Sequence, residues 1–191
     1  IHDPESTDVK RYFRIDLEEF SKIPGSPICY STPDEVRQMH TSKYKLDADR
    51  ADVSGKSVCD AVQGLLTGNN DRFIRRYWEI DLKQSPYRPF SEGGKDAWIL
   101  PKNNGVIYFK DNGKMLRRLS SSRVQNTSFY GEEGLTWNYV KRTGRRFGYF
   151  PTGGVFGYSG SLLLPKSDIS TWILLSVINS DLYHALFLSI T

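Results

Sequence analysis

Short apolar–polar alternations separated by Gly, Pro and Asn dominate this chain, and helical spacing is clearest after Thr32 and after Trp172. Val9 to Leu17 reads Val-Lys-Arg-Tyr-Phe-Arg-Ile-Asp-Leu, which predicts a strand, with Ile23-Pro24-Gly25-Ser26-Pro27 as a rigid turn behind it. Thr32-Pro33-Asp34-Glu35 predicts a helix start: Thr32 caps, Pro33 takes the first helical position, and acids line the first turn. That helix runs to about Thr41. Tyr44 to Lys56 is polar and acidic and carries one weak helical turn at most. Beyond it, strands are predicted near Cys59 to Leu66, Phe73 to Leu82, Val106 to Lys110, Arg145 to Pro151 and Val155 to Leu164. Gln84 to Asn104 reads as a long polar-aromatic loop, and Gly134 to Val140 as a short helix or a strand.

Trp172 to Ile190 is the most apolar stretch, yet Ser176, Asn179, Ser180, Asp181 and His184 interrupt it. Such residues are costly in a bilayer, so two packed helices broken near Asn179-Ser180 are expected and no membrane span. The pattern as a whole predicts an α+β fold of mostly short antiparallel or mixed strands, with a peripheral N-terminal helix and closing C-terminal helices. Residues 1–58 read as a docking or linker region and residues 59–191 as a strand-rich core, together one compact domain.

Composition narrows this picture. The chain of 191 residues is long enough for one substantial core, and 38% hydrophobic with 25% charged residues places it among globular proteins. Cys29 and Cys59 have neither metal-ligand spacing nor the number a disulfide framework needs, so a reducing, cytoplasmic setting is expected. Ile1 opens the chain and Ala185-Leu186-Phe187-Leu188-Ser189-Ile190 runs to its end, which reads as a fragment of a larger polypeptide.

Charge is distributed unevenly. Residues 1–60 hold nine Lys and Arg against twelve Asp and Glu, whereas residues 102–150 hold ten against three. A basic stripe interleaved with Tyr, Phe and Trp is the electrostatic footprint of a polyanion partner, because each neutralised phosphate releases condensed counterions.

Catalytic constellations are not found. Gly55-Lys56-Ser57 resembles the end of a phosphate-binding loop, but Arg50 stands where its first glycine belongs. Gly153-Gly154-x-x-Gly157-x-x-Gly160 is followed by no helical pattern and reads as turns between strands. His2, His40 and His184 are far apart. Asp60 or Asp71 with Asp81-Leu82-Lys83 is the one set from which a Mg²⁺-dependent nuclease can be drawn, and no catalytic or metal residue is assigned.

Gln63-Gly64-Leu65-Leu66-Thr67-Gly68-Asn69-Asn70-Asp71-Arg72-Phe73, followed by Ile74-Arg75-Arg76-Tyr77-Trp78-Glu79-Ile80, reads as a strand, a glycine-bearing polar turn and a basic aromatic strand. Asn pairs bidentately with adenine, and Arg with guanine or phosphate. This run, with Ile23-Pro24-Gly25-Ser26-Pro27-Ile28-x-Tyr30, Gly134-Leu135-Thr136-Trp137, and Phe147 to Gly160 with its Pro151-x-Gly153 step, resembles the adenine-specific DNA methyltransferases of BREX and phage-growth-limitation defence systems. The order also resembles bifunctional restriction-modification enzymes with a TaqI-like C-terminal specificity domain, and Leu174 to Ser180 resembles their closing helix. The likeness spans about Tyr12 to Leu188.

In that family an N-terminal Rossmann-like domain binds S-adenosylmethionine and carries an Asn/Asp/Ser-Pro-Pro-aromatic motif for the flipped adenine. No Pro-Pro pair occurs here. The resemblance therefore implies a target-recognition domain of an adenine-specific methyltransferase, with no cofactor in this segment and S-adenosylmethionine in the parent. Implied partners are double-stranded DNA, the missing methyltransferase domain and other defence-system proteins. Phosphate contacts are expected from Lys114, Arg117, Arg118, Lys141, Arg142, Arg145 and Arg146. Loop or base contacts are expected from Thr67, Asn69, Asn70, Arg72, Asn103, Asn104 and Asn138. A run shared by enzymes that read different sites shapes its loop or touches the backbone, so Asn69 and Asn70 become positioning residues and specificity falls to the basic segment after Lys102. A protein-interaction module of a defence complex is the alternative.

Overall fold

The computed structural model describes residues 14–48, 55–81, 83, 86–92, 99–101, 104–137 and 147–189. Contacts divide the chain into two compact units, Ile1–Ser42 with Asp181–Thr191, and Lys43–Ser180. The architecture is α+β, with short strands in antiparallel and mixed sheets.

The first unit is helical. Leu17 opens a one-turn helix, Leu17–Phe20, where the alternation predicts the end of a strand. Glu18 and Glu19 in its first turn favour that helix, and Asp16 O accepts from Glu19 N at 3.0 Å. The Asp34–Met39 helix forms as expected but is closed differently. Pro33, not Thr32, holds the capping position, and no side chain caps the helix. Instead the buried Arg37 guanidinium reaches back, donating to Thr32 O and to the Asp34 carboxylate. The Asp181–Leu188 helix packs on Asp34–Met39, with a His40 ring nitrogen 2.8 Å from Ser189 Oγ.

The second unit carries the strands β1 Tyr44–Lys45, β2 Lys56–Ser57, β3 Cys59–Val62, β4 Ile74–Arg76, β5 Tyr87–Ser91, β6 Gly105–Tyr108, β7 Gly134–Trp137, β8 Phe147–Phe150, β9 Val155–Phe156 and β10 Leu162–Pro165. β1 and β2 pair in parallel. One four-stranded sheet runs β3-β10-β7-β8 and is antiparallel throughout. The other runs β4-β6-β5-β9, antiparallel except for the parallel β5–β9 pair.

Val155 to Leu164 is one apolar run in the sequence but two strands in the fold. Gly157 N donates to Ser91 O at 2.7 Å, holding β9 in the mixed sheet. A turn closed by Gly160 N to Gly157 O then delivers β10 to the antiparallel sheet. The buried apolar residues form two clusters, both touched by Tyr130. Leu65, Phe73, Phe90, Ile107, Phe109, Leu116 and Val155 pack beneath the mixed sheet. Val62, Phe150, Phe156, Leu162 and Leu164 form the other cluster.

The Thr171–Ile178 helix covers the antiparallel sheet with buried Leu174, Leu175 and Ile178. It stops at Asn179, whose carboxamide brackets β8: Phe147 N donates to Asn179 Oδ1 at 3.2 Å, and Asn179 Nδ2 donates to Phe147 O at 2.9 Å. The helical break therefore falls at Asn179-Ser180, as the polar residues predict. Among the described residues no single helix is long and apolar enough to cross a membrane.

Candidate functional site

The Gln63–Phe73 run folds as a clamped loop rather than a plain hairpin turn. Leu65 N donates to Phe156 O at 2.9 Å and Tyr158 N to Leu65 O at 2.9 Å, so the loop lies along β9. Gly64 sits so close that a Cβ there would stand 1.9 Å from Phe156 O, which is why only glycine fits. On its other side the loop pairs with Arg123: Leu66 N donates to Arg123 O at 3.0 Å and Arg123 N to Leu66 O at 2.8 Å. Gln125 Nε2 and Asn126 Nδ2 add bonds to Gly64 O and Gln63 O at 3.0 and 2.9 Å. Gly68 has φ +69°, and a Cβ there would meet the Ser121 backbone at 2.6 Å.

The left-handed turn at Gly68 starts a one-turn helix, Asn70–Phe73, where the pattern predicts a polar turn running into a strand at Phe73. Asn69 Oδ1 accepts from Arg72 N at 3.0 Å and caps it. Thr67, 4% exposed, donates its hydroxyl to Asn70 Oδ1, and Asn70 Nδ2 donates to Glu92 Oε1 at 3.0 Å. A shallow surface pocket of about 70 Å³ opens between Thr67, Asn70, Glu92 and Tyr158. Arg72 is exposed, its guanidinium 5.3 Å from the Phe73 ring centroid.

Lys114, Arg117 and Arg118 occupy a different kind of surface. Asp111 and Asn112 adopt left-handed angles, φ 51° and 54°, which Asp and Asn tolerate better than most residues, and lead into the Lys114–Arg117 helix. Leu116 anchors that turn in the core at 0% exposure. The three cations stay exposed, and none forms an ion pair with a described residue. Arg117 Nε donates to Asn112 O at 3.3 Å, which orients its head without neutralising it. The chain then turns at Leu119 to Arg123 and docks against the Gly64–Gly68 loop, so the two segments expected to touch DNA are joined by backbone pairing. Ser122 Oγ, donating to Leu66 O at 3.0 Å, belongs to the same joint.

Asn104 is half-buried and uses its carbonyl to accept from Tyr77 N at 3.1 Å. Asn103, Asn138, Lys141, Arg142, Arg145 and Arg146 lie outside the described residues. Sequence reasoning missed the roles of Gln125 and Asn126, whose bonds are long-range and leave no local signal. It also read Arg75-Arg76-Tyr77-Trp78 as strand, whereas Tyr77–Glu79 is a 3₁₀ turn. Glu79 Oε2, accepting from Arg76 N at 2.7 Å, bends the chain there.

Two acids of the nuclease-like set are hydrogen-bonded within the fold. Asp60 takes the Lys166 ammonium at 2.5 Å, and Asp81 Oδ1 accepts from Lys83 N at 3.0 Å. Among the described residues no three His, Cys, Asp or Glu side chains gather as metal ligands. Burial, then the nearby Asp47 and Asp60 charges, push the Cys59 thiol up to about 12, so it does not supply a thiolate near neutral pH. Glu133 accepts from Thr171 Oγ1 at 2.6 Å and from Tyr149 Oη at 2.8 Å, and these bonds hold its carboxyl below the usual range. That trio, with Tyr149 stacked on Trp172 at 4.5 Å, fastens the covering helix to β8.

No family model matches the chain. It is 30% identical over 173 residues, 85% of its length, to the adenine-specific methyltransferase BrxX of Escherichia coli O9:H4 (strain HS). It is 23% identical over 199 aligned residues, 93% of its length, to the adenine-specific methyltransferase PglX of Lacticaseibacillus casei (strain Zhang). The chain spans 13% and 16% of the lengths of these two relatives. It is thus a distant relative of the BREX adenine-specific methyltransferases, matching one minor segment of them.

Proposed function

We propose that this chain is the target-recognition part of an adenine-specific DNA methyltransferase, a module that holds double-stranded DNA while catalysis takes place elsewhere in the parent polypeptide. The observation that carries the reading is the exposed basic turn at Lys114, Arg117 and Arg118, free of ion pairs to described residues. It lies in a chain whose relatives are adenine-specific methyltransferases. Cations left without carboxylate partners keep their full charge for phosphates, and Arg adds a planar fork for bidentate contact. The clamped Gln63–Phe73 loop supports a scaffolding role beside them, because its amides and carbonyls are bonded within the fold.

In this reading S-adenosylmethionine and the flipped adenine belong to the methyltransferase domain, which acts with this module in the cytoplasm. Lys141, Arg142, Arg145 and Arg146 extend the phosphate contacts, and Asn103, Asn104 and Asn138 are the candidates for base edges. A test separates DNA holding from a protein-interaction role. Arg145→Glu with Arg146→Glu is expected to abolish the mobility shift of a short duplex while leaving binding to the methyltransferase domain intact. Retained duplex binding with loss of the protein contact would favour the interaction module instead.

A further inference from the structure

Tyr77 and Trp78 are the feature that neither the fold nor the phosphate contacts explain. Both are large aromatics left in solvent, Tyr77 at 51% and Trp78 at 62% exposure. Their rings meet edge to face, with centroids 5.0 Å apart and planes at 83°. The turn that carries them is held at both ends: Tyr77 N donates to Asn104 O at 3.1 Å, and Arg76 N to Glu79 Oε2 at 2.7 Å. It follows β4, an edge strand of the mixed sheet, so nothing pairs with that strand on its outer side among the described residues. An aromatic pair fixed in this way loses little conformational freedom on binding.

The surrounding charge says what kind of ligand suits it. Arg72 and Arg76 are exposed, and neither forms an ion pair with a described residue. The acids of the turn are engaged with backbone amides, Glu79 with Arg76 N and Asp81 with Lys83 N. Exposed aromatic faces preceded in the chain by exposed arginines match a nucleic-acid strand, whose bases stack while its phosphates pair with guanidinium. A purely apolar protein partner would leave those two cations without counter-charges.

We propose that Tyr77 and Trp78 form a stacking platform for an unpaired nucleobase, with Arg72 and Arg76 holding the phosphates on either side of it. The inference rests on the DNA-binding reading and adds a second element to it: a contact to the base face, indifferent to sequence. In a continuous duplex each base face is covered by its neighbours, so the platform acts only where a base is displaced from the stack.

The test compares two probes with the whole 191-residue chain at one salt concentration, a continuous duplex and the same duplex carrying a three-nucleotide bulge. The wild-type chain is expected to bind the bulged probe more tightly. Trp78→Ala should weaken bulge binding about tenfold and change duplex binding less than twofold, with the thermal midpoint unmoved because the ring is exposed. Trp78→Phe, which keeps a stacking face, should recover most of the loss. Equal binding of both probes by the wild type, or no effect of Trp78→Ala on the bulged one, would overturn the platform while leaving duplex holding intact. Failure of the wild-type chain to bind either probe would overturn the DNA-binding reading itself.

Discussion

The Gly64–Phe73 loop and the Lys110–Arg118 turn lie in one unit, linked through the Leu66–Arg123 backbone pair just after the turn, yet they use their polar groups in opposite ways. In the loop, Thr67, Asn69 and Asn70 bond to one another, to the Arg72 amide and to Glu92. In the turn, Lys114, Arg117 and Arg118 reach solvent without a carboxylate partner among the described residues, and Arg117 Nε donates to the Asn112 carbonyl. The same residue types that suit nucleic-acid reading are structural in one place and available in the other. Donor chemistry in a sequence is therefore a weak guide until the fold shows which donors are already satisfied.

The largest expected effect comes from breaking the loop. Gly64→Ala places a methyl group inside the Phe156 carbonyl, so β9 or the loop must move. A loss of about 3 kcal/mol in unfolding free energy is expected, read as a lowered urea midpoint at unchanged slope. A change under about 0.5 kcal/mol, the size of a neutral surface substitution, would mean that the clamp is not as tight as described.

Next is the turn. Replacing Lys114, Arg117 and Arg118 together with Ala should weaken duplex binding about thirtyfold at physiological salt and leave the urea midpoint in place. If stability falls instead, the cations are structural and the contrast with the loop disappears.

Asn69→Ala sharpens the comparison from the other side. Loss of the cap should cost about 1 kcal/mol of stability, whereas duplex binding should change less than in the turn variant. Binding that drops as far as in the turn variant would make Asn69 a contact residue.

The smallest effect is at Glu133, remote from both segments in the chain. Its carboxyl is held below the usual range by the Thr171 and Tyr149 hydroxyls, so its folded value lies under its unfolded one. The corresponding stability is present above the ordinary carboxylate range and is lost as pH falls through the lowered value. Glu133→Gln should therefore flatten the acid limb of a stability-against-pH curve by lowering the plateau above the carboxylate range, and, because Glu133 holds the Tyr149 phenol above its usual range, it should flatten the alkaline limb as well. An unaltered acid limb would mean that the two hydroxyls do not favour the ionised carboxylate.

Much of the fold was legible because local patterns survived. Apolar alternation located β3, β6 and β8, and the polar residues at Asn179-Ser180 located the helical break, whereas the choice between helix and strand left open after Gly134 falls to strand over Gly134–Trp137. Where a side chain bonded back to the backbone, the local pattern failed. Glu79 turned an apparent strand into the Tyr77–Glu79 turn, and Asn69 made one helical turn of residues 70–73. Pairing was invisible for a different reason: β3 lies against β10, about a hundred residues later, through backbone bonds that no composition records. At the candidate site, the basic residues were legible as charge, whereas the long-range bonds of Gln125 and Asn126 were not.

The most direct test of the central claim is the salt dependence of duplex binding by the intact chain and by the Lys114/Arg117/Arg118 alanine variant. The DNA-holding account predicts a steep decline of log K with log salt for the wild type. In the variant the slope should be shallower by roughly 2 to 3, at about 0.9 for each phosphate that the three cations no longer neutralise. A wild-type line that is nearly flat, or a variant line parallel to it, would contradict the account.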